Sequence, residues 1–211
     1  MKAGGLMIDM DGTVCKGMDI IPGADDFIDF LKSNGIPFVF LTNNSSRTRD
    51  YYLEKLNRMG FGISAGNILT SANASARYIR GKYPDARVYP VASPEVSAEL
   101  EASGLNIDYD NPDTVLLTFD RTITYDKINT CYRLLRDGAG FIATHPDDVC
   151  PTETSYDIDI GPFIRMFEQM CDSKPEIVGK PGRLMLKMAS EAMGIDPETA
   201  VMVGDRLYTD I

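Results

Sequence analysis

The sequence of 211 residues lacks any apolar run close to the roughly 18–20 residues that a membrane-spanning helix needs. Basic residues are also scarce, since 21 Lys and Arg stand against 31 Asp and Glu and leave a net charge of −10. Nucleic acids and anionic lipids both attract surfaces rich in Lys and Arg. The sequence therefore predicts neither as a partner. Asp9 and Asp11 lie where a signal peptide would have its apolar centre, so a cytoplasmic location is expected.

No CxxC pair, P-loop, GxGxxG or HExxH motif is present. These absences disfavour kinase-type nucleotide use, NAD binding and zinc hydrolysis. The scattered cysteines predict reduced thiols, and not a disulfide framework or a zinc site. Residues 62–66 read G-x-S-x-G, but a predicted helix precedes this segment and a strand follows, which is the reverse of the serine-hydrolase turn.

What the chain does contain is an alternation of short apolar runs and amphipathic segments. This alternation is typical of βαβ units that build a parallel sheet, so we predict an α/β fold. Strands are predicted at 6–8, 38–41, 68–70, 88–92, 115–119, 141–143, 176–178 and 200–203. Helices are predicted at 22–34, 50–59, 73–82, 94–102, 125–136, 162–170 and 183–193.

Three of the predicted strands end on polar side chains. The first runs into Asp9 and Asp11, the second into Thr42, and the last into Asp205 with Asp210 five residues on. In open α/β sheets, ligands bind outside the carboxyl ends of the strands. Several carboxylates at one place repel each other unless a cation lies among them, and Mg²⁺ prefers oxygen ligands. We therefore predict a Mg²⁺ site at this edge, with Lys180 as a second positive charge.

Each of these residues also has an ordinary explanation. Asp11 with Gly12 is a common hairpin turn, and a lone Thr42 after a strand is usually a capping residue. Lys180 alone is most simply a solvated loop lysine, and Asp210 alone an acid favoured at a helix N-terminus. The functional interpretation depends on all four occurring together, in order, at strand or loop ends.

The segments DMDGT, LTNN, GKP and GDRLYTD, at 9–13, 41–44, 179–181 and 204–210, resemble the four ordered motifs of the haloacid dehalogenase superfamily of phosphatases. VFLTNNS and TSA further resemble subclass IIA, the NagD-like or p-nitrophenylphosphatase-like proteins. The resemblance implies a Rossmann-like core at 1–86 plus 175–211, with an inserted α/β cap of the C2 type at 87–174.

The resemblance also implies roles for the motif residues. Asp9 would be the nucleophile that becomes an aspartyl phosphate, and Asp11 the general acid and base. Thr42, the backbone N–H of Asn43, and Lys180 would bind the phosphoryl oxygens, with Lys180 also orienting Asp9. The implied Mg²⁺ ligands are Asp9, the carbonyl of Asp11, Asp205 and Asp210.

Residues 145–160 match the position of the family's specificity segment, so His145 and Asp147 are expected to contact the substrate. This stretch has no Lys or Arg, and its acids are Asp147, Asp148, Glu153, Asp157 and Asp159. A second phosphate on the substrate would be repelled there, which favours a neutral or polyhydroxylated leaving group such as a sugar. An ordinary solvated acidic loop explains the composition equally well.

The leading expectation is a Mg²⁺-dependent phosphatase that acts on a small phosphorylated metabolite. Two alternatives stay open: a module that is phosphorylated on Asp or binds phosphate without efficient turnover, and a phosphotransferase or phosphomutase of the same superfamily. A homodimer through the cap is a further expectation. The chain stops one residue after Asp210, where subclass IIA chains usually continue. A truncated chain, an incomplete gene and a short natural form all stay open as explanations, and an uncovered sheet edge is expected.

Overall fold

A computed structural model describes residues 3–152 and 154–210. The strands are β1 Gly5–Asp9, β2 Cys15–Lys16, β3 Asp19–Ile20, β4 Phe38–Thr42, β5 Ile68–Thr70, β6 Val88–Val91, β7 Thr114–Leu117, β8 Gly140–Ala143, β9 Val149–Pro151, β10 Tyr156–Ile158, β11 Glu176–Ile177 and β12 Ala200–Val203. The α-helices are α1 Ala24–Ser33, α2 Arg49–Arg58, α3 Ser71–Lys82, α4 Pro94–Ala102, α5 Tyr125–Arg136, α6 Gly161–Cys171 and α7 Arg183–Met193. Among the described residues, every helix is too short or too polar to span a bilayer.

The described residues divide into two compact units. The first comprises 3–42, 49–70 and 180–210, and the second comprises 43–48 and 71–179. Helix α3 thus groups with the second unit, although it precedes residue 87. The domain limits expected from the sequence stay a prediction.

The first unit contains a parallel sheet in the order β12-β1-β4-β5. Strand β4 is buried along its whole length, and β1 along most of it, which explains why these strands read as continuous apolar runs without alternation. Strand β12 lies at the sheet edge and is partly exposed. Helix α1 buries Ile28 and Leu31 in a core that also includes Ile8 and Phe40.

The second unit contains another parallel sheet, in the order β11-β8-β7-β6. Its core gathers apolar side chains from the strands and from α5 and α6, including Val115, Leu117, Phe141 and Phe167. The predicted α/β class with parallel sheets is confirmed. The antiparallel pairs β2–β3 and β9–β10 were not predicted, because strands of two or three residues leave no periodic pattern.

Replacement of Ile28 by Ala tests the first core. Ile28 is fully buried on α1, so Ile28→Ala should lower the free energy of unfolding by about 2–5 kcal/mol, because a cavity is left. Phe30→Ala, on the same helix but 57% exposed, should change it by less than about 0.5 kcal/mol. Urea denaturation measures both, and equal losses would contradict the described orientation of α1.

Candidate functional site

The carboxyl ends of β1, β4 and β12 meet at one edge of the first sheet. Asp9 pairs in register with Leu41, and Ile8 pairs with Val203 on the other side. Thr42 is the last residue of β4 and is buried. It therefore lies one residue beyond the level of Asp9, at the same edge of the sheet. Asp205 follows two residues after the end of β12. Parallel pairing thus brings three segments that are far apart in the sequence to one edge.

Lys180 is buried within this edge and is only 2% exposed. Its Nζ donates a hydrogen bond to Oδ1 of Asp9 and another to Oδ1 of Asp210, the latter over 2.7 Å. Hydrogen bonds between ionised partners are about twice as strong as neutral ones. The ammonium group therefore links the first strand to the turn after the last strand, and it is not a solvated loop lysine.

Three carboxylates lie close together beside Lys180. One oxygen each from Asp9, Asp205 and Asp210 lies within 4.8 Å of the other two. The Thr13 hydroxyl lies 3.5 Å from Oδ2 of Asp9 and 3.4 Å from Oδ1 of Asp205, so it can donate to either one. An all-oxygen set of this kind is the one that Mg²⁺ prefers.

The electrostatic balance of the site is negative. The pKa of Asp9 is raised to about 6: burial raises it most, Lys180 lowers it, and Asp210 and Asp11 raise it as well. The single ammonium group therefore does not compensate for the loss of water and for the neighbouring carboxylates. A divalent cation among these oxygens would restore the balance, so the residues present fit the Mg²⁺ that the resemblance implies.

Two glycines leave room for these carboxylates. A Cβ at Gly12 would lie 2.4 Å from Oδ2 of Asp205, and the φ of Gly12 is +100°, which side chains rarely tolerate. A Cβ at Gly204 would lie 2.4 Å from Cγ of Asp210. Both glycines belong to the motifs quoted above. That each one makes room for a carboxylate of the site is visible only in the folded structure.

Asp11 has a partner that the sequence analysis did not identify. Nζ of Lys55, on α2, donates to Oδ1 of Asp11 over 3.0 Å. Burial lowers the pKa of Lys55, but Asp11 and Cys15 together more than offset this and the net shift is upward. One feature of the sequence could have indicated this contact. Lys55 lies between Tyr52 and Leu56, which form the buried face of α2.

The other predicted substrate-binding residues lie in the second unit. Nδ2 of Asn43 donates to Oδ2 of Asp147 over 3.2 Å, and both residues are buried. His145 is fully buried, with Nδ1 2.9 Å from the Thr144 hydroxyl and Nε2 2.8 Å from Oδ1 of Asp159. Both ring nitrogens thus have internal partners. Substrate contact by His145 and Asp147 stays a prediction.

Two acids of the 145–160 segment are paired with arginines within the second unit. Asp157 pairs with Arg121 over 3.1 Å, and Asp148 pairs with Arg165. Glu153 lies outside the described residues. The negative charge counted from this segment alone is therefore partly neutralised by arginines from α6 and from the loop before α5.

Comparison with known proteins places this geometry in a family. A model for haloacid dehalogenase-like hydrolases matches residues 6–106, and a second, HAD-hydrolase-like model matches residues 177–211. An acid sugar phosphatase from Staphylococcus epidermidis is 35% identical over 206 residues, which are 97% of this chain and 80% of the relative. An acid sugar phosphatase from Staphylococcus aureus is 36% identical over 206 residues, again 97% of this chain and 80% of the relative.

Solved structures give the same result. The 4-nitrophenylphosphatase from Thermotoga maritima superposes with a TM-score of 0.94 at 37% identity, covering 99% of this chain and 80% of that one. A p-nitrophenyl phosphatase from Archaeoglobus fulgidus superposes with a TM-score of 0.93 at 30% identity, covering 100% of this chain and 81% of that one. The chain therefore belongs to the haloacid dehalogenase-like hydrolases, in their NagD-like branch, and is a phosphoric monoester hydrolase.

Proposed function

We propose that this protein hydrolyses a small phosphate monoester with the help of Mg²⁺ and through a phosphorylated Asp9. The observation that carries the proposal is the position of Asp9, which accepts a hydrogen bond from Lys180 and has one oxygen each of Asp205 and Asp210 within 4.8 Å. A nucleophile, a buried cation and an oxygen ligand set for a metal are thereby combined at one sheet edge. Phosphoryl transfer needs little more than such positioning and charge neutralisation.

The reaction would proceed in two displacements. A carboxylate oxygen of Asp9 attacks phosphorus, the bond to the leaving oxygen breaks, and Asp11 gives that oxygen a proton. Water then attacks the phosphorus of the aspartyl phosphate while Asp11 takes its proton, which releases inorganic phosphate and restores Asp9.

The remaining residues would bind charge. Lys180 neutralises the phosphoryl oxygens and orients Asp9, while the Thr42 hydroxyl and the Asn43 backbone N–H hold the same oxygens. Asp9, the carbonyl of Asp11, Asp205 and Asp210 would hold Mg²⁺. When bound, this ion supplies additional charge stabilisation at the phosphoryl group.

For the substrate we propose a sugar phosphate or a similar small metabolite. The support comes from relatives named acid sugar phosphatase and from the acidic composition of the 145–160 segment. The arginine partners of Asp148 and Asp157 weaken the second argument. We retain three further proposals: a cap at 87–174, a homodimer through it, and a cytoplasmic location.

Asp9→Asn should lower phosphate release from p-nitrophenyl phosphate by at least about a thousand-fold, since removal of a nucleophile acting within a coupled site costs that much or more. Asp25→Asn, on the exposed start of α1, is the matched control and should keep wild-type activity. Borohydride trapping followed by mass spectrometry should locate the phosphorylated carboxyl at Asp9. Persisting turnover in Asp9→Asn would refute the nucleophile assignment.

Asp205→Asn should raise the Mg²⁺ concentration for half-maximal activity by about ten-fold or more, because one charged ligand is lost. The same change should reduce the Mg²⁺-dependent rise in melting temperature, which measures binding without turnover. Glu198→Gln, in the turn before β12, serves as the control. An unchanged Mg²⁺ dependence would remove Asp205 from the ligand set.

A panel of phosphorylated metabolites tests the substrate class. We expect kcat/KM for sugar monophosphates to exceed that for the corresponding bisphosphates and for nucleoside diphosphates by about ten-fold or more, because charge mismatch costs over 1 kcal/mol. Preference for bisphosphates would overturn this proposal. Transfer of phosphate to added alcohols or sugar phosphates, in place of water, would favour the phosphotransferase alternative. Absence of any release would favour the binding module.

A further inference from the structure

Asp11 is held by only one of its two carboxylate oxygens. Oδ1 accepts a hydrogen bond from Nζ of Lys55 over 3.0 Å, and the Cys15 thiol points to the same oxygen from 3.9 Å. Within the part of the chain that the structure describes, Oδ2 accepts no hydrogen bond from the protein. The two oxygens of Asp11 are therefore not equivalent.

Lys55 is well suited to fix this carboxylate. Its side chain is 10% exposed, against 32% for that of Asp11, so the aliphatic stem is packed and the ammonium group has few other positions. Helix α2 contributes buried Tyr52 and Leu56 on either side of Lys55 in the sequence, and both anchor the helix in the core of the first unit. An exposed ion pair would contribute little to orientation, but a packed one restricts both partners.

The segment that carries Asp11 is itself short and tightly turned. The backbone N–H groups of Thr13, Val14 and Cys15 all point to the carbonyl of Met10, and Gly12 bonds to Cys15. This turn defines the backbone of Asp11 but not the direction of its side chain. The contact with Lys55 supplies the missing constraint.

We propose that Lys55 is a positioning residue for proton transfer: it holds Oδ1 of Asp11 so that Oδ2 is presented to the leaving oxygen and later to water. This inference rests on the proposed function, in which Asp11 is the general acid and base. A misplacement of about 1 Å can cost a hundred-fold in rate, so loss of one anchoring contact is expected to be measurable.

The experiment compares leaving groups. Phenyl phosphate has a more basic leaving oxygen than p-nitrophenyl phosphate, so it depends more on protonation by Asp11. In Lys55→Met, kcat/KM for phenyl phosphate should fall about ten-fold or more, while that for p-nitrophenyl phosphate should fall less than about three-fold. Because kcat/KM covers the steps up to departure of the leaving group, the later attack of water does not enter.

Two variants serve as controls. Lys187→Met, at an exposed position of α7, should leave kcat/KM for both substrates unchanged. Lys55→Arg should recover part of the kcat/KM for phenyl phosphate that Lys55→Met loses. The ratio of the two kcat/KM values within one variant does not depend on how much of the protein is folded. Asp11→Asn should change the ratio in the same direction as Lys55→Met.

The outcomes are distinguishable. The positioning role is refuted if Asp11→Asn changes the ratio of the two kcat/KM values but Lys55→Met does not. It is also refuted if Lys55→Met lowers kcat/KM for both substrates equally. In either case the phosphatase proposal stands. If the wild-type protein releases no phosphate from either ester, the proposed function fails first.

Discussion

The candidate site of the first unit depends on one electrostatic constraint, the gathering of acids around the buried Lys180. Asp9 and Asp210 share Lys180, and Asp205 adds a third carboxylate oxygen within 4.8 Å. Repulsion among these groups opposes the fold wherever no cation offsets it. The raised pKa of Asp9, caused first by burial, records that one ammonium group is insufficient. The same imbalance would favour the binding of a divalent cation among these oxygens.

Parallel strand pairing is what allows this gathering. Because β1 pairs with β4 on one side and with β12 on the other, residues separated by nearly two hundred positions reach the same edge. Glycines at 12 and 204 then allow the acids to approach the backbone more closely than any side chain would permit. The second unit uses its own polar residues differently, since Asn43, His145 and Asp147 are hydrogen-bonded to each other or to near neighbours within it.

Helices and strands of ordinary length were predictable from the sequence. The bounds of α4, α5, α7 and β12 coincide with the predicted segments. Ser93 and Thr124 cap the N-termini of α4 and α5, and Gly194 ends α7. The short antiparallel pairs at 15–20 and 149–158 were not predictable. Two or three residues leave no period to detect, and their pairing is decided by neighbours.

The sequence by itself determined the parallel α/β class, the family and the identity of the acids at the strand ends, since each is written in local patterns and ordered motifs. The resemblance already implied that Lys180 orients Asp9. Only the tertiary structure decided the other contacts: Lys180 with Asp210, Lys55 with Asp11, and His145 with Asp159. The reason is physical. A motif specifies the residue types at a place in the chain, whereas the partner of a charged side chain depends on which distant segment the packing brings within about 3 Å.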